Sequence, residues 1–332
     1  MANLADGAAR PTLVEVARLA GVSTATVSRV ASGSGPVGDE TRTRVEDAIA
    51  ETGWVPNRVA RLLASGKGDE VAIVIVVGQV RELVEDPYYV RVIAGASEAA
   101  DHHGLVVSVH TARPGRVAAL VPFEGDPRYV GAVLVNVGAE EAGALPASSL
   151  RLASLGASAP GIASFDPENR IGATRALEHL LIQGRRRIAM IAGPRVNPCA
   201  NERSIAYRLV MRAAGLPVLE ASSDFTRRGG AEAARWLIEQ HPDVDALFVA
   251  SDLMAIAALD VLRLGGRSVP ADVAVVGFDD SPLSEIATPC LTTVAQPVEQ
   301  LAGLAVRSLL DRNVSRPHGQ RLPTRLVLRR SA

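Results

Sequence analysis

With 332 residues, 48% of them hydrophobic, and a formal net charge of −1, this chain has length for two or three domains and apolar mass for substantial cores, so it is neither a small module, a disordered tail nor a polycation. Its two cysteines show neither metal-ligand spacing nor a disulfide framework and read as buried small residues; residues 1–10 lack a secretory pattern, and no run is long and apolar enough to cross a bilayer. These exclusions predict a cytoplasmic protein with no membrane partner, no metal and no cofactor.

The first informative stretch is Thr12–Val30, which reads as two short helices broken by Ala20–Ser23. Thr12 and Glu15 stand at capping-box spacing, and Val16, Ala17 and Ala20 form the apolar side of the first helix. Gly21 permits the reversal, Ser23 caps the second helix, and Val27 and Val30 face inward. Thr24, Ala25, Ser28 and Arg29 are left facing outward. Small residues with one Arg suit close approach to a DNA major groove, although a plain helical hairpin has the same pattern. Asp39–Glu51 follows as a helix with an acidic start and with Val45, Ala48 and Ile49 apolar.

From Thr12 to Gly66, including the stretch Gly53–Gly66, the chain resembles the DNA-binding headpiece and hinge of the lactose-repressor/galactose-repressor family. The resemblance implies a DNA-binding set of Thr12, Ser23, Thr24, Ala25, Thr26, Ser28, Arg29, Asn57, Arg58, Ala60 and Leu63. It makes 57–64 a hinge helix that orders only when paired over the minor groove, since a helix so short is marginal alone. Leu63 matches the leucine that wedges between central base pairs; without the resemblance, Leu62 and Leu63 read equally well as linker core residues. Residues 1–68 carry a net charge of only +1, so affinity must come from the placement of Arg29, Arg42, Arg58 and Arg61 and from dimerisation.

Beyond the polar joint at Gly66–Asp69 the character changes. Val71–Val77 is a continuous β-branched run, the mark of a strand covered on both faces. Helix over Tyr88–Ala100, strands at Leu105–His110 and Ala132–Val137, helix at Gly172–Gln183 and strand at Ile188–Ala192 are expected next. They are followed by Ala231–Gln240 (helix), Ala246–Ala250 (strand), Leu253–Leu264 (helix) and Val273–Val276 (strand). This alternation predicts an α/β protein with doubly wound parallel sheets behind an all-α helix-turn-helix headpiece. The strings Gly184–Pro194, Phe248–Asp252, Val275–Asp280 and Leu291–Pro297 resemble the same family's two-lobed, periplasmic-binding-protein-like domain. The implied organisation is an N-terminal extension at 1–10, a headpiece at 11–56, a hinge and linker at 57–68, and an effector and dimerisation domain at 69–332. Its N-lobe would hold about 69–167 and 296–325, and its C-lobe about 168–295 and 326–332.

The resemblance places a small-molecule effector between those lobes and implies a binding set of Tyr88, Tyr89, Asp166, Arg203, Phe225, Ser251 and Asp279. Arg203 aligns with a clamping arginine, whose rigid fork grips paired oxygens. Asp279 would accept ligand hydroxyls, with Asp280 structural; Phe225 would lie against the ligand, and Tyr88 and Tyr89 stand where the family places aromatics beside it, one of the two only packing. Ser251 stands where many relatives carry Asn. Asp166-Pro-Glu-Asn169 departs from the usual Asp-Asn, so Glu168-Asn169 is an alternative to Asp166. Arg185 and Cys290 also depart from the pattern.

The function implied is an effector-controlled repressor, a homodimer on pseudo-palindromic double-stranded operator DNA with a central CG step, its affinity modulated by a sugar-like ligand. The tail Thr324–Ala332 lacks a leucine heptad, so no tetramerisation helix is expected. Dinucleotide-binding, Walker and nucleophile-elbow motifs are missing, which argues against an enzyme. A regulator with a degenerate pocket used only for dimerisation remains the alternative.

Overall fold

The computed structural model describes residues 11–32, 35–55, 68–116, 125–145, 151–156, 159, 162–311 and 319–332, and the chain divides into two compact units, 1–67 and 68–332.

The first unit contains α1 (Leu13–Ala20), α2 (Thr24–Ser32) and α3 (Asp39–Thr52). Thr12 and Glu15 form the reciprocal cap: the Glu15 amide donates to Thr12 Oγ1 at 3.3 Å, and the Thr12 amide donates to Glu15 Oε2 at 2.6 Å. Gly21 takes φ +65°, a left-handed turn that ends α1 at little cost for a residue lacking Cβ. The Thr26 amide donates to Ser23 Oγ at 3.2 Å, opening α2. Val16, Val27 and Val45, one from each helix, are fully buried, and Trp54 closes the same core from beyond α3.

The second unit starts with β1 (Glu70–Val76), α4 (Glu82–Glu85), α5 (Pro87–Asp101), β2 (Val106–Ala112), β3 (Tyr129–Val135), α6 (Ala139–Gly143), β4 (Arg151–Leu155) and β5 (Ala163–Pro167). It continues through α7 (Asn169–Ile182), β6 (Ile188–Ala192), α8 (Pro198–Ala213), β7 (Leu219–Ser222), α9 (Arg227–Gln240), β8 (Ala246–Val249) and α10 (Asp252–Leu264). The remaining elements are β9 (Ala274–Asp279), α11 (Pro282–Ile286), β10 (Thr292–Ala295), α12 (Val298–Leu310), β11 (Gln320–Leu322) and β12 (Arg325–Val327).

Two six-stranded sheets result, ordered β11-β5-β4-β3-β1-β2 and β12-β10-β9-β8-β6-β7. Every pairing is parallel except β10 with β12. Val71–Val76 of β1 is buried throughout, as its uninterrupted apolar run requires. The chain passes between sheets after β5, after β10 and between β11 and β12. The last passage comes slightly earlier than expected, because Arg325 already pairs with Ala295 in the second sheet. Strands β4, β5 and β7 were not in the expected alternation; they are short and rich in Ala and Ser, so β-branched patterning does not mark them.

Candidate functional site

Where the carboxyl ends of β3, β4, β5, β8 and β9 approach the start of α5, the second unit holds a partly open cavity of about 50 Å³. Ligand crevices of doubly wound sheets lie at such strand ends. Tyr88, Tyr89, Asp166, Arg203, Phe225, Ser251 and Asp279 all line this cavity.

Arg203, from the middle of α8, is only 4% exposed. Its Nε donates to Asn169 Oδ1 at 2.8 Å and its Nη1 to the Ala250 carbonyl at 2.6 Å, while its guanidinium carbon sits 3.6 Å from the centre of the Phe278 ring. Nη1 is also 3.8 Å from Asp279 Oδ1. Asn169 thus positions the arginine, while Asp166, and neither Glu168 nor Asn169, is among the residues lining the cavity.

Asp279 ends β9 with φ +127° and its neighbour Asp280 has φ +51°, a left-handed pair of non-glycine residues of the kind that concentrates at binding sites. The Asp279 carboxylate accepts from Gln296 Nε2 at 2.5 Å and from the Asp252 amide at 3.4 Å. Burial pushes its carboxyl up to about 6, against the lowering influence of Arg203. Asp280 turns away and pairs with Arg329 at 2.7 Å. Ser251 reaches the cavity while its hydroxyl accepts from the Met254 amide at 3.4 Å, capping α10.

On the opposite wall, Asp86 caps α5 by accepting from the Tyr88 amide at 2.9 Å. Burial, reinforced by Asp279, raises its carboxyl to about 7. Tyr88 and Tyr89 meet edge to face at 5.6 Å. The Tyr89 hydroxyl accepts from Asn136 Nδ2 at 2.8 Å, and Asn136 Oδ1 accepts from Asn197 Nδ2 at 3.2 Å, linking α5 and β3 to the start of α8. Phe225 holds φ +67°, and its ring lies where a Cβ on Gly193 would stand. Cys199, expected to be a buried filler, lines the cavity and donates from Sγ to Asp166 Oδ1 at 3.5 Å. Burial and the neighbouring carboxylate raise its thiol to about 12, whereas burial raises Asp166 to about 6.

Asp86, Asn136, Asn197, Cys199 and Gln296 were not expected from sequence. Asp86 before Pro87 and Asn197 before Pro198 carry a helix-cap signature, but capping alone does not reveal a ligand wall.

In the first unit, Thr24, Ala25, Ser28 and Arg29 are exposed on α2, as expected. Thr26 is half-buried with its hydroxyl 3.0 Å from Ser23 Oγ, and Thr12 and Ser23 act as caps. Asn57, Arg58, Ala60 and Leu63 lie outside the described residues.

A helix-turn-helix unit joined to a two-sheet domain with a polar and aromatic interlobe cavity defines a DNA-binding protein governed by a small molecule. Comparison with known proteins agrees. Residues 12–57 match the family described as bacterial regulatory proteins, lacI family, and residues 177–332 match the periplasmic binding protein-like domain. The chain is 39% identical to the HTH-type transcriptional regulator CelR of Thermobifida fusca, over 97% of this chain and 98% of that protein. It is 30% identical to the HTH-type transcriptional repressor CytR of Escherichia coli (strain K12), over 90% and 89% of the two chains. Among solved structures, a CelR–cellobiose complex aligns with TM-score 0.74 and 37% identity over 97% of this chain and all of that one. A lac repressor dimer bound to operator and the anti-inducer ONPF aligns with TM-score 0.85 and 27% identity over 97% and 98%. The chain therefore belongs to the lacI family of bacterial regulatory proteins, and it is a DNA-binding transcriptional regulator with an effector-binding domain. Members of this family are regulators, not enzymes.

Proposed function

We propose that this chain represses transcription in the cytoplasm, on the nucleoid, as a homodimer on a pseudo-palindromic operator, and that a small saccharide bound between the lobes changes its DNA affinity. The observation that supports this most is the convergence of Asp86, Asp166, Asp279 and Arg203 with Tyr88, Tyr89 and Phe225 on one cavity. Rings cover the apolar faces of a sugar, and the carboxylates and guanidinium match its hydroxyl edges. Cellobiose, held by the related CelR, is the first candidate. In this reading 11–56 is the headpiece, 57–68 the hinge, and 69–332 the effector domain, which performs no catalysis. Thr24, Ala25, Thr26, Ser28 and Arg29 face the major groove; Thr12 and Ser23 hold the headpiece in register; Asn57, Arg58, Ala60 and Leu63 serve the hinge over the minor groove.

Selection of bound duplexes from a random library tests the first half: a symmetric site with a central CG step is expected. Titrating the recovered duplex with cellobiose tests the second half, with a change in DNA affinity of about 5- to 150-fold expected. Enrichment of no sequence under either condition would sink the reading.

A further inference from the structure

The charge around the effector cavity is lopsided. Three carboxylates, Asp86, Asp166 and Asp279, face the inner cavity, and Arg203 is the one basic side chain among its described lining residues. That arginine is already held by Asn169 and the Ala250 carbonyl and lies 3.8 Å from Asp279. The inner cavity opens into a wider cleft that shares Asp86, Tyr89, Asn136, Asn197 and Phe225 with it. Five more carboxylates line this outer part: Glu82, Glu85, Glu140, Glu141 and Asp224. No Lys, Arg or His stands among the described residues lining it.

Some of these acids pin local backbone. Glu82 accepts from the Gly78 and Gln79 amides at 3.3 and 2.8 Å, and Glu141 accepts from the Gly138 amide at 3.2 Å. Asp224 accepts from the Thr226 amide at 3.0 Å. Amide donors stabilise a carboxylate without cancelling its charge, so the field in the cleft stays negative. Glu85 has Arg81 3.8 Å away on the same turn, and both side chains are exposed. With Asp86 only partly ionised near neutral pH, the other seven carboxylates against one engaged arginine still give the passage a single sign, which concentrates one class of solute and repels the other.

We infer that this cleft is an anion filter: the effector is an uncharged saccharide, and phosphorylated or carboxylated sugars of the same shape are rejected by the acidic wall. The inference rests on the saccharide reading above and narrows it. A regulator so built would respond to a sugar released by hydrolysis or taken up without phosphorylation, and stay silent to a sugar phosphate.

The test uses the full-length protein and pairs of probes: cellobiose, maltose, glucose and ribose, each beside its phosphate ester. Calorimetric affinities are measured at about 50 and 500 mM salt, where the screening length changes several-fold. The expected result is binding of a neutral sugar, with its ester at least about tenfold weaker at low salt. That penalty should shrink at high salt and in the rim variant Glu85→Gln/Glu140→Gln, which alters two exposed side chains, while affinity for the neutral sugar stays constant. Equal or tighter binding of an ester overturns the filter and leaves the saccharide reading standing. A penalty unmoved by salt and by the rim variant also overturns it, since exclusion would then be steric. If no neutral sugar and no ester binds, the saccharide reading falls and the filter falls with it.

Discussion

With Nε on Asn169, Nη1 on the Ala250 carbonyl and its carbon over the Phe278 ring, the Arg203 guanidinium is fixed in one orientation by three elements. A ligand therefore meets a preorganised fork, with little ordering cost left to meet on binding. Arg203→Ala should strand Asn169 and bring Asp279 closer to neutrality, costing about 3 kcal/mol of stability and most of the effector affinity. Arg203→Lys restores the charge without the fork; thermal unfolding should recover more than calorimetric effector binding does. The carboxyls give a second residue-scale prediction. Asp86, raised to about 7 by burial and by Asp279, binds its proton more tightly in the folded chain than in the unfolded one. Its contribution to stability accordingly falls as pH climbs from the unfolded value through about 7, and is constant above. Asp86→Asn removes that dependence and keeps an acceptor for the Tyr88 amide. Its melting temperature should exceed that of the native chain at pH 8, and the gap should close toward pH 4. A gap that does not vary with pH would show that this carboxyl does not titrate in the folded cleft.

Helices α5 and α12 pack so closely that a Cβ on Gly95 would strike the Glu299 backbone. Just along the same contact, Arg91 donates from Nε to Glu299 Oε1 at 2.6 Å, from Nη1 to the Asp279 carbonyl at 2.8 Å and from Nη2 to the Gln296 carbonyl at 3.1 Å. One side chain thereby ties α5 to α12, to the end of β9 and to the passage between the lobes. Arg91→Ala should loosen Asp279, whose left-handed backbone needs its surroundings to hold it, and weaken effector binding several-fold without touching the cavity wall. Gly95→Ala should instead cost about 1–3 kcal/mol through overpacking. Denaturant unfolding and calorimetry together distinguish the two. Neither contact was legible beforehand, because each depends on where two distant helices meet. The capping box at Thr12 and Glu15, the reversal at Gly21 and the buried run of β1 were legible, since local chemistry dictates them. For the candidate site, the grouping of Tyr88, Tyr89, Asp166, Arg203, Phe225, Ser251 and Asp279 on one cavity was legible, because a family pattern marks those residues. Asn136, Asn197 and Gln296 escaped because an amide at a strand end or helix cap looks the same whether or not a cavity opens beside it.

At the scale of the whole chain, two units each carry their own buried core, Val16, Val27 and Val45 in one, and two sheets with their covering helices in the other. The exposed face of α2 and the interlobe cavity belong to different units, so any influence of one on the other is a coupling free energy between separate sites. Such coupling is reciprocal: if the effector changes operator affinity by some factor, operator must change effector affinity by the same factor. Filling the cavity against Arg203, Asp279 and the Asn136–Asn197 link should stabilise one arrangement of the lobes, and only differential affinity for that arrangement can shift the equilibrium. Val27→Ala gives the control, because it leaves a hole in the core beneath α2, inside the first unit's own apolar cluster. It should weaken operator binding severely while effector affinity in the absence of DNA stays unchanged. In the native protein, calorimetry of the effector with and without saturating operator should differ by about 1–3 kcal/mol, matching the shift in operator affinity measured with and without effector. Equal effector affinity in both states would mean that the cavity and the DNA-reading face are not linked, however well each of them binds.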